Sequence, residues 1–291
     1  MTIKLPKIFL DSGDPAETVR AKGLIGHLDG QTTNPSLVAK NPEVQAYITS
    51  GKKLTEADLL VKYKEMIQGI EKEIAGPISV EVYADWDSTP TDMLKQAETM
   101  YTWGRNVYIK FPTIPAGLQA AHEFTKNGGR VNMTLVFTQM QAAAVYEATR
   151  PTSQPAFISP FIGRWDDRGM NGVDLVKNIL KQYRWYEKTE HRESHVKVLA
   201  ASIRTLDHLY ASMFMDADIV TMPLKIIQEW VLDEKWVPDE RYRYEPDLKG
   251  IVYEEIAPGK PLAEYPVERV EGDLLDEGVG KFVADWKNLI G

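Results

Sequence analysis

Eight short apolar runs, each closing on polar residues and each separated from the next by a longer stretch, most of them helical in pattern, constrain this chain more than any other feature. The runs cover residues 7–12, 27–34, 77–83, 106–111, 130–137, 156–162, 197–204 and 218–222. Helical periodicity fills intervals at 55–75, 91–103, 117–127, 138–149, 172–188 and 206–215, several of them entered through a capping Ser, Thr or Asp. Strict β/α alternation calls for parallel strands, and eight is the number that closes a barrel; an open doubly wound sheet usually stops at about five to seven. The spacing predicts an α/β fold, a TIM (β/α)8 barrel over residues 1–232, followed by a C-terminal extension over 233–291.

The phase of the polar residues within the runs carries the next step, because strand side chains alternate between barrel interior and helix-facing surface. Val107, Ile109 and Phe111 share one face, which leaves Tyr108 and Lys110 on the other. Ile78, Val80 and Val82 are expected outward with Glu81 inward. The same phase sets Asp11 against Ile8 and Leu10, Asn132 and Thr134 against Val131, Met133 and Leu135, and Ser202 and Arg204 against Leu199, Ala201 and Ile203. Ser159 also falls near the end of its run. Inward polar residues therefore collect at the C-terminal strand ends, the face where barrel enzymes assemble active sites.

An inward lysine there is either the partner of an ion pair with Glu81 or a nucleophilic amine. A Schiff-base lysine must lose a proton from an ordinary pKa of about 10.4, and desolvation between apolar strands favours that loss. Two separate carboxylates, Asp11 and Glu81, supply the distinct proton transfers needed for carbinolamine formation and carbon–carbon cleavage. Arg204, Ser202 and Arg164 suit an anionic substrate terminus.

These residues lie in segments that resemble the transaldolase family: FLDSGD from Phe9, LDGQTTNPSLVAK from Leu28, ISVEVY from Ile78, VYIKFPTIPAGLQA from Val107, VNMTLVFTQMQA from Val131, ISPFIGRWDDRG from Ile158, VLAASIR from Val198 and DIVTMP from Asp218. The resemblance implies that Lys110 forms a Schiff base with the ketose C2 carbonyl. It further implies that Asp11 exchanges the C4 hydroxyl proton and that Glu81 and Thr134 handle a catalytic water. Asn34 and Asn132 would hold hydroxyls of the dihydroxyacetone unit, with Ser159 near C1, and Arg164, Ser202 and Arg204 would bind the sugar phosphate. The implied reaction moves a dihydroxyacetone unit from fructose 6-phosphate or sedoheptulose 7-phosphate to an aldose phosphate, as in the pentose phosphate pathway, with no metal or organic cofactor. The related fructose-6-phosphate aldolases usually carry Gln and Tyr where this chain has Glu81 and Phe161, so both positions match the transferase rather than the lyase. A sulfonated ketose offers a similar anion and stays an alternative substrate. Gln31 and Gly13 depart from the family pattern without touching a matched role.

Composition narrows the partners. Formal net charge is −8, and neither nucleic acid nor an anionic membrane has a basic face to meet. With no cysteine there is no disulfide, thiolate site or cysteine nucleophile. The longest charge-free stretch, 131–146, is too short and too polar to span a bilayer, and the first residues lack a signal-peptide core. A cytoplasmic protein is expected, with room for a homo-oligomer. His191 and His195 are assigned to a solvated loop at the end of the barrel opposite Lys110, and Asp166, Asp167 and Asp174 to capping and loop solvation, since their spacing misses a calcium loop. Dinucleotide, Walker and serine-hydrolase motifs are absent. Residues up to 232 hold 26 bases and 27 acids, whereas 233–277 hold 14 acids, 6 bases and five prolines, so the acidity belongs to the extension. Within it, 251–256 and 262–267 are expected to form a hairpin, and 280–290 a helix packed back on the barrel.

Overall fold

A computed structural model describes residues 4–51 and 54–290. Eight parallel strands close into a barrel: β1 (Lys7–Asp11), β2 (Gly30–Thr32), β3 (Ile78–Glu81), β4 (Val107–Pro112), β5 (Val131–Val136), β6 (Ala156–Pro160), β7 (Val196–Ala200) and β8 (Ile219–Met222), with β8 pairing back onto β1. The helices between them start where sequence chemistry sets them. Thr55, Thr89 and Thr138 each form a reciprocal capping box, and prolines open the helices Pro15–Ile25, Pro35–Lys40, Pro42–Thr49, Pro90–Tyr101 and Pro115–Lys126. No helix among the described residues is long and apolar enough to cross a membrane.

Register decides what meets inside the barrel. Ser79 pairs with Tyr108, Glu81 with Lys110, and Lys110 with Asn132, so three neighbouring strands present polar residues at one level. Below that level Phe9, Tyr108, Phe157, Leu199 and Ile219 form an apolar plug, in which the Tyr108 and Phe157 rings stack with centroids 4.2 Å apart. The plug separates the polar upper layer from the N-terminal opening and keeps its dielectric low.

Two strands break simple alternation. Leu199 and Ala201 point inward, the opposite of the expected phase, and β7 ends at Ala200. Ser202 follows with φ 58°, a left-handed turn that re-aims the chain toward the cavity. Alternation assumes a continuous strand, and here the strand has already stopped. In β5 the register slips between Met133 and Val136 around Leu135, also at φ 58°, a bulge at the rim.

The expected hairpin does not form. Residues 251–261 have no regular structure, and a single 3-10 turn occupies Leu262–Glu264. Barrel side chains satisfy this backbone instead: Asn178 donates to the Ile251 carbonyl, Gln139 to Val252, Tyr186 to Ile256, while the Glu254 and Gly259 amides donate to Gln139 and Glu147. The final helix spans Leu274–Lys287, longer than expected, and is capped by Asp273. It lies against the helix Pro35–Lys40 and the bulged β5. His195 likewise departs from the solvated reading. It is partly buried, its Nε2 contacts the Tyr146 carbonyl at 3.0 Å, and burial pushes its imidazole down to about 4. His191 is exposed, as expected, in the left-handed cap that closes the helix Gly172–Glu190.

Candidate active site

Lys110 and Glu81 stand side by side because β3 and β4 pair in register. The Lys110 Nζ lies 2.8 Å from Glu81 Oε2 and donates to the Thr33 carbonyl at 3.0 Å. Both side chains are almost fully buried, 4% and 3% exposed. Burial raises the Glu81 carboxyl above its usual range, and the adjacent lysine charge only partly offsets that. Tyr63 braces the pair from behind: the Glu81 amide donates to its hydroxyl at 3.0 Å, and that hydroxyl contacts Thr33 Oγ1 at 2.6 Å.

Asp11 ends β1, close enough to Lys110 to feel its charge. Thr32 donates to it at 2.6 Å, yet desolvation dominates and raises its pKa. Asn132 sits one strand beyond Lys110, where its amide nitrogen donates to Ser79 and its oxygen accepts from Ser159 at 2.8 Å. The Thr134 hydroxyl is buried with no hydrogen-bond partner in the protein. Asn34 uses its side-chain oxygen to cap the helix Pro35–Lys40 through the Leu37 amide.

A cavity of about 230 Å³ opens above these groups and is bordered by Asp11, Asn34, Lys110, Ser159, Phe161, Arg164 and Ser202. Asn132, bonded to Ser159, and Thr134 do not border it, and Glu81 faces a separate void of about 10 Å³ shared with Leu135 and Phe282, room for about one water. Sequence reasoning missed Lys40, Lys281 and Phe282, which also border the larger cavity. The last two come from the C-terminal helix, whose periodicity indicated packing on the barrel but not where along it. Trp286 from that helix meets the rings of Tyr63 and Tyr83 at 6.4 and 6.2 Å, fixing the helix over the mouth.

Arg204 stands apart. It is exposed, does not border the cavity, and gives its guanidinium fork to Asp167. That arginine holds the Asp167 carboxyl below its usual range. The Arg204 amide donates to His208 Nδ1 at 3.3 Å, which leaves His208 Nε2 as the N–H facing Asp166 at 2.7 Å. Asp166 also accepts from the Gly172 amide at the start of the helix Gly172–Glu190, a capping role as expected, whereas Asp174 accepts from the Ile251 amide of the extension and Asp167 pairs with Arg204 rather than with solvent. Gly163 is required here, since any side chain would overlap Arg204 Nε and the Ser202 carbonyl. Among the described residues no group of three or more His, Asp or Glu could hold a metal ion.

Comparison with known proteins identifies the family. The family model described as Transaldolase/Fructose-6-phosphate aldolase matches residues 8–291. A "Probable transaldolase" of Geobacter metallireducens is 33% identical over 97% of this chain and 99% of its own length. Another so named, from Brucella ovis, is 36% identical over 79% of this chain and 92% of its own, and one from Bdellovibrio bacteriovorus is 33% identical over 76% and 88%. Sugar phosphates are the substrates that such a family implies. The chain belongs to the transaldolase/fructose-6-phosphate aldolase family.

Proposed function

We propose that the protein is a transaldolase that carries a dihydroxyacetone unit on Lys110 between a ketose phosphate and an aldose phosphate. The observation that carries this reading is a buried amine at the floor of a cavity, ion-paired to one desolvated carboxylate and flanked by a second. Transfer of the ammonium proton to Glu81, whose carboxyl burial already favours in its protonated form, frees the amine to attack the ketose C2 carbonyl. Glu81 returns the proton as the carbinolamine loses water. Thr134, a buried hydroxyl with no protein partner, is suited to holding that water. Asp11 takes the C4 hydroxyl proton as the C3–C4 bond breaks, and the electron pair moves into the iminium to give an enamine. The enamine carbon then attacks the acceptor aldehyde, Asp11 protonates the new alkoxide, and water releases the ketose.

Asn34, Asn132 and Ser159 hold the hydroxyls of the three-carbon unit in this scheme, and Arg164, Ser202 and Arg204 take the phosphate. Phe161 favours transfer over release. Its ring borders the cavity without a hydroxyl to donate a proton toward a hydrolytic water, so the enamine persists until an aldehyde arrives. The test is acceptor dependence. With fructose 6-phosphate alone, glyceraldehyde 3-phosphate should appear to about one equivalent per active site, and continued turnover should require erythrose 4-phosphate; steady release of free dihydroxyacetone without it would make the protein a lyase of the same family. Turnover of a sulfonated ketose in preference to the phosphate would redefine the substrate while leaving the Lys110 chemistry intact.

A further inference from the structure

The Asp167 carboxylate fills the Arg204 fork, Oδ1 on Nη1 and Oδ2 on Nη2, the second contact at 2.7 Å. On the other edge of the guanidinium, Nε and Cδ crowd against Gly163. The donors that would take two oxygens of a substrate anion are therefore already taken by two oxygens of a carboxylate, in the geometry that suits either ligand. The two side chains are 42% and 52% exposed, so water and counterions screen the pair and opening it costs little. The loop itself is anchored on both sides: Asp166 holds His208, and Arg168 pairs with Glu277 of the C-terminal helix at 2.6 Å. Asp167 can thus leave Arg204 without the loop moving.

We propose that Asp167 is an internal competing anion for Arg204, which the anionic end of the substrate must displace, and that it sets how weakly the site holds phosphate esters. This rests on the reading of Arg164, Ser202 and Arg204 as the anion ligands. Binding exchanges one charge-assisted fork for another, so part of the attraction of Arg204 is offset by the exposed contact given up. A transferase that receives two different phosphate esters at one anion site, and releases two, benefits from such an exchange because a tighter hold would slow release. Asp167 acts through Arg204 and is a positioning residue rather than a catalytic one.

The test is calorimetric titration of the full-length protein with inorganic phosphate. Asp167→Asn and Asp167→Ala should each bind phosphate about threefold to fivefold more tightly than the wild type, the scale of a solvent-exposed ion pair. Arg204→Ala should bind it more weakly, and adding Asp167→Ala to Arg204→Ala should bring no gain. A residue that merely braces Arg204 predicts the opposite sign. Unchanged or weaker phosphate binding in both Asp167 variants, with Arg204→Ala still weakening it, overturns the competitor role alone. Phosphate affinity indifferent to Arg204→Ala overturns the anion-site reading beneath it.

Discussion

The molecule contains two cation–carboxylate pairs of opposite character. Lys110–Glu81 is sealed inside the barrel at 4% and 3% exposure, while Arg204–Asp167 stands in solvent at 42% and 52%. Burial makes the first pair interdependent, because removing either partner leaves a charge with nothing to answer it in a low dielectric. Solvent makes the second exchangeable, because water replaces whichever partner leaves. The difference follows the division of labour in the proposed reaction. A proton must cross between Lys110 and Glu81 without escaping to solvent, whereas an anion must enter and leave beside Arg204.

Substitutions should separate the two pairs, beginning with the largest effect. Lys110→Ala is expected to lower turnover at least about a thousandfold, because it removes the buried amine that forms the imine; steady-state assay of purified protein measures it. Glu81→Ala should destabilise the fold by about 3–5 kcal/mol in urea unfolding, the cost of stranding a buried ammonium. Asp167→Ala, by contrast, should change stability by no more than about 1 kcal/mol. Arg204→Ala should raise the KM for the sugar phosphate about tenfold or more with a smaller change in kcat, which kinetics with a range of donor concentrations would show.

A further expectation uses pH. Asp11 binds its proton more tightly in the folded protein than in the unfolded chain, because desolvation raises its pKa. Its protonated form therefore supports folding at low pH. That support fades as pH rises from the ordinary carboxylate range through the raised value. Asp11→Asn lacks this dependence, so its stability relative to wild type should climb with pH across that window while its turnover falls about a hundredfold or more. Thermal unfolding of both proteins at several pH values, alongside activity, checks the sign. A variant that loses relative stability as pH rises would show Asp11 to be stabilised as the carboxylate.

The barrel and its polar layer were legible because strand alternation is local. Lys110, Glu81, Asn132 and Asp11 could be oriented from their immediate neighbours, and register then brought the first three to one level. Ser202 and Arg204 follow the end of β7, where alternation no longer applies, and the left-handed turn at Ser202 has no sequence mark comparable to a glycine. The stretch 251–267 looked strand-like because it is apolar and interrupted by turn residues. Its hydrogen bonds go to Gln139, Asn178 and Tyr186, partners far away in the chain that no local pattern reveals. Lys281 and Phe282 were hidden for the same reason, since periodicity gives a helix its buried face but not its landing place. The Asp167–Arg204 contact spans 37 positions, and only the fold brings the two together.

Borohydride trapping with fructose 6-phosphate, followed by peptide mass mapping, tests most directly the claim that Lys110 is the nucleophile. A single reduced adduct carrying the dihydroxyacetone unit on Lys110, absent from Lys110→Ala, is the predicted result. No adduct, or an adduct on any other lysine, would contradict it.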